Sequence, residues 1–279
     1  MFRPCRDGKS GASGQAVERR ILLGTAIAPA LHSGRCLTIS HYGFPPPLNK
    51  LSIVIPIFNE KDLLPVVLER LRSVQFQIET EFILVDDCSR DGTREWLKEN
   101  AATLPKTRVL YHKKNIGKGG ALRTGFRQAT GDIIMVQDAD MEYDPKEIPL
   151  VIQPIIDRRC KVSYGSRFLG RVPTGMRIPN YVANRILTFL VILMFGQIIT
   201  DEATAYKAFD AELLRKIPLK CRRFEFCPEV TAKVLMRGER IHEVPVTFFA
   251  RTFAEGKKIG LKDFFEALWT LGRCRLGLM

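Results

Sequence analysis

Two carboxylates one residue apart, Asp138 and Asp140, follow an apolar run at residues 133–136. Such a run, bounded by polar residues, predicts a buried strand, and open α/β sheets place ligands at the carboxyl ends of their strands. Like charges at close range oppose the ionisation of both carboxylates, and a hard divalent cation relieves that opposition. The spacing therefore indicates a site for Mg²⁺ or Mn²⁺ shared with substrate phosphates, with a simple polar turn as the alternative.

Two further polar pairs follow predicted strands earlier in the chain. Asn59 and Glu60 come after the first strand, and Asp86 and Asp87 end the second. Each pair alone is explained by a turn or a helix cap. Three sets at the same edge of one sheet favour a ligand site over surface polarity.

The elements that must position these residues alternate between strand and helix. Strands are predicted at 51–56, 81–85, 109–111 and 132–136, and then at 161–164 and 241–249. Helices are predicted after the first two strands, and from a glycine-rich loop at 115–120 to Gln128. This rhythm predicts an α/β fold with a mostly parallel, doubly wound sheet. The loop lacks the spacing of a Walker or dinucleotide-binding loop, so turn formation and close packing are the alternative to phosphate binding.

The composition narrows the class of partner. The chain of 279 residues has a net charge of +13, which indicates an anionic partner such as nucleic acid, an anionic membrane surface or a phosphorylated substrate. The absence of an aromatic-basic RNA motif argues against nucleic acid. The 7 cysteines show no metal or CxxC spacing, which favours reduced thiols in the cytoplasm. Residues 1–48, rich in Gly, Ser and Arg, are predicted to form a disordered arm before a folded domain at 49–279.

Four ordered motifs resemble the family 2 glycosyltransferases, and most of all the polyprenyl-phosphate sugar transferases of the dolichol-phosphate mannose synthase type. The motifs lie at 56–60, 85–93, 115–121 and 138–140, and the resemblance covers about residues 50–275. It implies a GT-A, Rossmann-like sheet flanked by helices. It also implies an inverting, metal-dependent transfer of sugar from a nucleotide-diphosphate sugar to a dolichyl or undecaprenyl phosphate.

The resemblance also implies roles for individual residues. Asp138 and Asp140 would hold Mg²⁺ or Mn²⁺ together with Glu142, which stands where relatives often have Gln. Asp138, Asp140 and Asp201 are the expected catalytic residues. The expected substrate-binding residues are Pro56, Phe58, Glu60, Asp86, Asp87, Lys118, Arg167, Arg251, Lys257 and Lys258. For Arg167 and the basic loop at 251–258, a surface salt bridge and a solvated surface are the alternatives.

The nature of the acceptor decides whether a general base is needed. A polyprenyl phosphate is ionised near neutrality, because the second pKa of a phosphate monoester is about 6. A sugar hydroxyl of a polysaccharide or glycolipid, the alternative acceptor, would need a base, and Asp201 is the candidate. The intact Asp138 and Asp140 argue against a third hypothesis, a binding protein without catalytic activity.

Two segments suggest contact with a membrane. Apolar residues are dense near 181–199, which fits an interfacial helix or a core helix equally and is marginal for a span. An amphipathic helix with basic flanks is predicted near 262–275. We therefore expect a cytoplasmic enzyme, peripheral on the inner face of the membrane. A membrane-protein partner or a homo-oligomer would be a further means of attachment.

Overall fold

The computed structural model describes residues 47–100, 104–170, 173, 175–250 and 260–279. Arg251, Lys257 and Lys258 therefore lie outside the described residues, as does nearly all of the predicted arm at 1–48. The division into an arm and a folded domain stays a prediction. All described residues belong to one compact unit, Pro46–Met279.

A seven-stranded sheet forms the centre of this unit. Its strands are β1 Lys50–Ile57, β2 Glu79–Asp86, β3 Thr107–Tyr111, β4 Ile133–Val136, β5 Val162–Ser166, β6 Lys207–Asp210 and β7 Ile241–Pro245. The spatial order is β3-β2-β1-β4-β6-β5-β7, and all pairs are parallel except those of β6 with β4 and β5. The predicted mostly parallel α/β sheet is confirmed. Strand β6 was not predicted, and β7 ends four residues earlier than expected.

Eight α-helices accompany the sheet among the described residues. They are α1 Leu64–Ser73, α2 Thr93–Asn100, α3 Lys118–Gln128, α4 Ile148–Ile156, α5 Ile178–Phe195, α6 Ala211–Arg215, α7 Phe226–Met236 and α8 Leu261–Arg275. Each predicted helix is therefore present, and α8 is amphipathic as expected.

Successive residues of the central strands supply two separate cores, one on each face of the sheet. Val54 of β1 packs into the core that contains α3 and α7, whereas Ile53 and Ile55 pack into the core that contains α1 and α4. This alternation follows from the two-residue period of a strand. All four residues of β4 are fully buried. Burial of each such side chain contributes about 1.5–3 kcal/mol to the free energy of folding. Strand β4 is therefore firmly held, and with it the start of the acidic motif, Asp138 and Asp140.

Helix α3 lies unusually close to the sheet because it contains Gly125. A Cβ at this position would lie 2.3 Å from Val54 Cγ1 of β1. Real carbon atoms do not approach so closely, so any side chain at 125 would push α3 away from β1. The close packing fixes the height of α3 above the strand ends.

Candidate active site

A cavity of about 690 Å³ lies at the carboxyl ends of β1, β2 and β4. The three parallel strands end together, so the polar sets that follow them meet as expected. Eight of the expected site residues line this cavity: Pro56, Phe58, Glu60, Asp87, Lys118, Asp138, Asp140 and Glu142. Asp86, Arg167 and Asp201 are not on its wall.

The turn after β1 is tied to the loop after β2. Asn59 adopts a left-handed φ of 56°, which Asn tolerates better than most residues. Its backbone N–H donates to Ser89 Oγ at 3.0 Å, and its side-chain oxygen accepts from Arg90 N at 2.9 Å. Glu60 N donates to Thr93 Oγ1 at 3.0 Å. These bonds hold the turn that carries Phe58 and Glu60 to the cavity.

The two acids that end β2 have different positions. Asp86 is fully buried, and its carboxylate accepts from Arg94 Nε at 2.6 Å and from Ser89 N at 3.1 Å. The expectation that Asp86 contacts substrate therefore does not match its placement, because its oxygens bind the protein itself. Asp87 reaches the cavity wall.

Asp87 also organises the glycine-rich loop. Its carboxylate accepts from Ile116 N at 2.9 Å and from Gly117 N at 2.7 Å. His112 Nδ1 lies 2.7 Å from Asp87 Oδ1, and the other ring nitrogen lies 3.0 Å from Thr124 Oγ1. His112 is not among the predicted site residues, because nothing in its local spacing relates it to Asp87. The structure makes it the support of a cavity residue.

The first turn of α3 is closed by another part of the chain. Gly119 N donates to Arg223 O at 3.0 Å, and Gly120 N donates to Arg222 O at 2.9 Å. Gly117 has a φ of +87°, and a Cβ there would lie 2.4 Å from Arg222 O. The close-packing interpretation is thus confirmed for these glycines. Their amide groups at 119 and 120 are used by protein carbonyls rather than left for phosphate.

This contact brings the basic turn at residues 222–224 to the cavity. The turn is not among the predicted site residues. Arg222, Arg223 and Phe224 line the wall next to the glycine-rich loop. Glu225 fixes the turn by accepting from the backbone N–H groups of Arg222 and Arg223 at 2.8 and 3.0 Å. Arg223 also pairs with Asp263 of α8 at 3.3 Å. The adjacent arginines were the only available signal, and their partner is about 100 residues away.

The acidic motif faces a lysine across the cavity. Lys118 Nζ donates to Asp138 Oδ2 at 2.7 Å. Burial alone would lower the pKa of Lys118, but the charge of Asp138, with smaller contributions from Cys227 and Asp140, raises it. Asp140 accepts from Glu142 N at 3.2 Å, which shapes the turn between the two acids.

The donor chemistry of Asp138, Asp140 and Glu142 fits Mg²⁺ or Mn²⁺, since all three offer carboxylate oxygens to one cavity. Within the described ranges, however, no three Asp, Glu, His or Cys side chains are already grouped around one metal position. The carboxylate oxygens therefore suit the ion. In this structure the charge of Asp138 is balanced by the ammonium of Lys118.

Arg167 and Asp201 form a buried ion pair and do not line the cavity. Arg167 Nε and Nη2 both donate at 2.7 Å to the two oxygens of Asp201, and Arg167 N donates at 2.9 Å. Burial opposes the charge of Arg167, but its partner Asp201 raises the pKa of the guanidinium. Asp201 is fully buried with both oxygens engaged, so its placement does not suit a general base at the cavity. Arg167 therefore forms a salt bridge, as its alternative interpretation held, but this salt bridge is buried and does not lie at the surface.

A second buried charge cluster was also missed. Glu202 is fully buried, and neither carboxylate oxygen has a hydrogen-bond partner among the described residues. Burial raises its pKa to about 7. Lys207 donates to the backbone oxygen of Glu202 at 2.7 Å and lies 3.4 Å above the ring of Tyr164. Burial lowers the pKa of Lys207.

Helices α5 and α8 present large apolar side chains to the surface. Only Leu187, Thr188 and Val191 of α5 are buried, so α5 is a surface helix with one buried stripe and not a core helix. Phe189 and Leu193 of α5 are 62% and 69% exposed. On α8 the exposed residues are Leu261, Phe265 and Trp269. Among the helices that the structure describes, α5 has the length and composition to cross a membrane.

Solved structures with this architecture have the GT-A fold. Glucosyl-3-phosphoglycerate synthase from Mycobacterium tuberculosis, crystallised with Mn²⁺, UDP-glucose and phosphoglyceric acid, superposes with a TM-score of 0.65. The match covers 83% of this chain and 81% of that chain, at 19% sequence identity, and so concerns the fold. The class that this likeness defines is therefore the GT-A fold, and this chain has its cavity at the strand ends.

The sequence comparisons give the family. The model of glycosyl transferase family 2 matches residues 52–218, and the chain belongs to this family of glycosyltransferases. An undecaprenyl-phosphate mannosyltransferase from Micrococcus luteus is 33% identical over an alignment of 245 residues that covers 81% of this chain and 98% of that protein. A dolichol-phosphate mannosyltransferase from Pyrococcus furiosus is 30% identical over 78% of this chain, and the match spans 62% of its own length.

Proposed function

We propose that the enzyme transfers a sugar from a nucleotide-diphosphate sugar to a polyprenyl phosphate, in a single displacement that inverts the anomeric carbon. The observation that carries the proposal is one cavity lined both by Asp138 and Asp140 and by three cations, Lys118, Arg222 and Arg223. A site for two anionic substrates needs such charges. Relatives named for mannosyl transfer to undecaprenyl and dolichol phosphate support the acceptor class.

The donor would lie along the strand ends. Pro56, Phe58, Glu60 and Asp87 are proposed to hold its nucleoside, because they line the cavity at the ends of the adjacent strands β1 and β2. Asp138, Asp140 and Glu142 are proposed to hold Mg²⁺ or Mn²⁺ beside its diphosphate. A metal bound there would neutralise the charge that develops on the leaving diphosphate. The crystallisation of a protein of the same fold with Mn²⁺ and UDP-glucose supports the use of a divalent metal.

The acceptor needs no proton removed. Its ionised phosphate oxygen attacks the anomeric carbon, the new carbon–oxygen bond forms, and the bond to the donor diphosphate breaks on the opposite face. Lys118 and Arg223 reduce the repulsion between the two anions and align them. Arg251, Lys257 and Lys258 are proposed to add phosphate contacts, although they lie outside the described residues.

The alternative acceptor, a sugar hydroxyl, is disfavoured by the position of Asp201. A hydroxyl acceptor requires a base within hydrogen-bond reach of its proton. Asp201 is fully buried and both of its oxygens accept hydrogen bonds from Arg167. An acceptor that is already ionised fits this site better.

Helices α5 and α8 are proposed to place the enzyme on the inner, cytoplasmic face of a membrane, where it meets its lipid acceptor. Their exposed apolar residues would enter the interfacial region, as amphipathic surface helices do. Lys262, Arg273 and Arg275 of α8 would meet anionic headgroups, and the net charge of +13 favours the same contact. A membrane-protein partner or a homo-oligomer remains a prediction.

Purified enzyme, Mg²⁺ or Mn²⁺ and a defined polyprenyl phosphate can be incubated with a panel of radiolabelled nucleotide sugars. We expect label in a lipid that mild acid releases as free sugar, because a glycosyl phosphate is acid-labile. The anomeric configuration of the product, read by NMR, should be opposite to that of the donor. Label found only in acid-stable glycosides of hydroxyl acceptors, or retained configuration, contradicts the proposal.

A further inference from the structure

Lys118 is the first residue of α3, and its ammonium forms an ion pair with Asp138 of the acidic motif. Its Nζ is 2.7 Å from Asp138 Oδ2, and the two side chains are only 19% and 13% exposed. The helix start cannot easily shift, because Gly119 and Gly120 are bonded to the turn at 222–223. The ion pair is therefore a built part of the cavity and not a chance surface contact.

The Lys118 ammonium lies beside the carboxylate to which a divalent cation would also bind. Lys118 forms its ion pair with Asp138, and Asp140 lines the same cavity. Asp138 is also one of the three carboxylates proposed above as metal ligands. A metal at this carboxylate and the lysine must therefore share it or exclude each other, since like charges repel strongly in a partly buried site.

We propose that Lys118 is an internal counter-ion that competes with the divalent metal for Asp138 and moves to the donor diphosphate when metal and nucleotide bind together. The inference rests on the proposed function, because it assumes a metal at Asp138. Lys118 then has opposite effects on two ligands: it weakens the metal bound alone and strengthens the nucleotide diphosphate.

The consequence is cooperative binding. When only the metal is present, it must displace the ammonium from Asp138 without bringing an anion to which the ammonium can move. A diphosphate supplies that anion, and the charge-assisted hydrogen bonds to it replace those to Asp138. Coupling between two ligands is reciprocal, so the nucleotide must raise the metal affinity by the same factor as the metal raises the nucleotide affinity. Empty enzyme would thereby hold little metal until donor arrives.

The chain offers a matched control in Lys114. This exposed lysine lines the same cavity and makes no ion pair with a carboxylate of the described residues. Lys114→Met removes the same charge from the same cavity without freeing Asp138. Lys118→Arg keeps a cation next to Asp138, whereas Lys118→Met and Lys118→Gln both remove it.

Mn²⁺ binding can be measured by the electron paramagnetic resonance signal of the free ion, using the full chain with and without GDP or UDP. We expect Lys118→Met and Lys118→Gln to bind Mn²⁺ alone at least about tenfold more tightly than wild type, since a unit charge beside a divalent ion costs that much even when well screened. The nucleotide should raise their Mn²⁺ affinity by a smaller factor than in wild type. Lys114→Met and Lys118→Arg should stay within about threefold of wild type.

Two results would overturn the inference in distinguishable ways. If wild type binds Mn²⁺ with nucleotide and transfers sugar, but both neutral variants bind Mn²⁺ alone no more tightly, the competition is refuted and the proposed function stands. If wild type binds no Mn²⁺ even with either nucleotide, the metal assignment fails and the inference fails with it. Unchanged thermal unfolding midpoints establish that the variants compared are folded.

Discussion

Replacing Glu202 with glutamine should stabilise the protein above neutral pH and change its pH dependence. Glu202 is fully buried, with no hydrogen-bond partner for its carboxylate oxygens among the described residues. Burial disfavours the charged form and raises the pKa to about 7 from 4.5. The folded protein therefore holds this proton more tightly than the unfolded chain does.

The sign and size follow from linkage between protonation and folding. A group with a raised pKa in the folded state contributes its full stability below the unfolded pKa, and that stability is lost as the pH rises towards the folded value. The window for Glu202 is therefore about pH 4.5 to 7. A difference of about 2.5 units at 1.36 kcal/mol each sets an upper limit of roughly 3 kcal/mol. This figure already includes the effect of nearby Lys207, whose positive charge lowers the pKa of Glu202.

The assay is urea unfolding of wild type and Glu202→Gln at pH 5 and pH 8. The variant should gain about 1–3 kcal/mol relative to wild type between the two pH values, because glutamine does not titrate. Glu69→Gln, an exposed position on α1, is the control and should differ from wild type by less than about 0.5 kcal/mol at both pH values. An equal difference between wild type and Glu202→Gln at pH 5 and pH 8 would refute the burial argument.

Three further substitutions test the packing and the supports of the cavity. Gly125→Ala should lower the free energy of unfolding by about 1–3 kcal/mol, since its Cβ would overlap β1, whereas Gly272→Ala, with open space around it in α8, should be neutral or stabilising; denaturant unfolding measures both, and equal effects would contradict the packing account. Arg167→Met should destabilise by about 3–5 kcal/mol because it leaves a buried carboxylate unpaired, and a loss under 1 kcal/mol in the same assay would show that the pair is not buried as described. His112→Phe removes the hydrogen bond to Asp87, so the KM for the donor should rise about five- to tenfold in steady-state kinetics while kcat and the acceptor KM change less than twofold; an equal rise in both KM values would argue against a role on the donor side.

The parts of the fold that local pattern determines were predictable. The residues of β4 are all apolar and bounded by polar ones, so the strand and the position of Asp138 and Asp140 at its end followed from the sequence. The meeting of three polar sets followed from parallel strand order. Strand β6 was not predicted because its four residues have a charged residue at each end. The burial of Lys207 depends on contacts that the sequence does not display: its ammonium donates to Glu202 O and Thr231 Oγ1 and lies above the ring of Tyr164.

The unpredicted parts of the site depend on contacts between distant segments. Arg222 and Arg223 reach the cavity because their carbonyl groups close the first turn of α3, about 100 residues earlier. Asp201 does not line the cavity, and its carboxylate is bound by Arg167, 34 residues earlier in the chain. Neither contact has a local spacing that a sequence pattern can display. Resemblance supplied the identity of the residues, while their burial and partners came only from the structure.

If Asp138 and Asp140, which follow β4, hold the metal and the donor diphosphate, then Asp140→Asn should lose most of its sugar transfer. Asp62→Asn, at an exposed position outside the cavity lining, is the matched control. With both variants folded as judged by circular dichroism, we expect kcat/KM of Asp140→Asn to fall about 100-fold or more, and that of Asp62→Asn to stay within twofold of wild type. Retention of more than half of the wild-type kcat/KM by Asp140→Asn would show that this carboxylate does not hold the metal and the donor diphosphate.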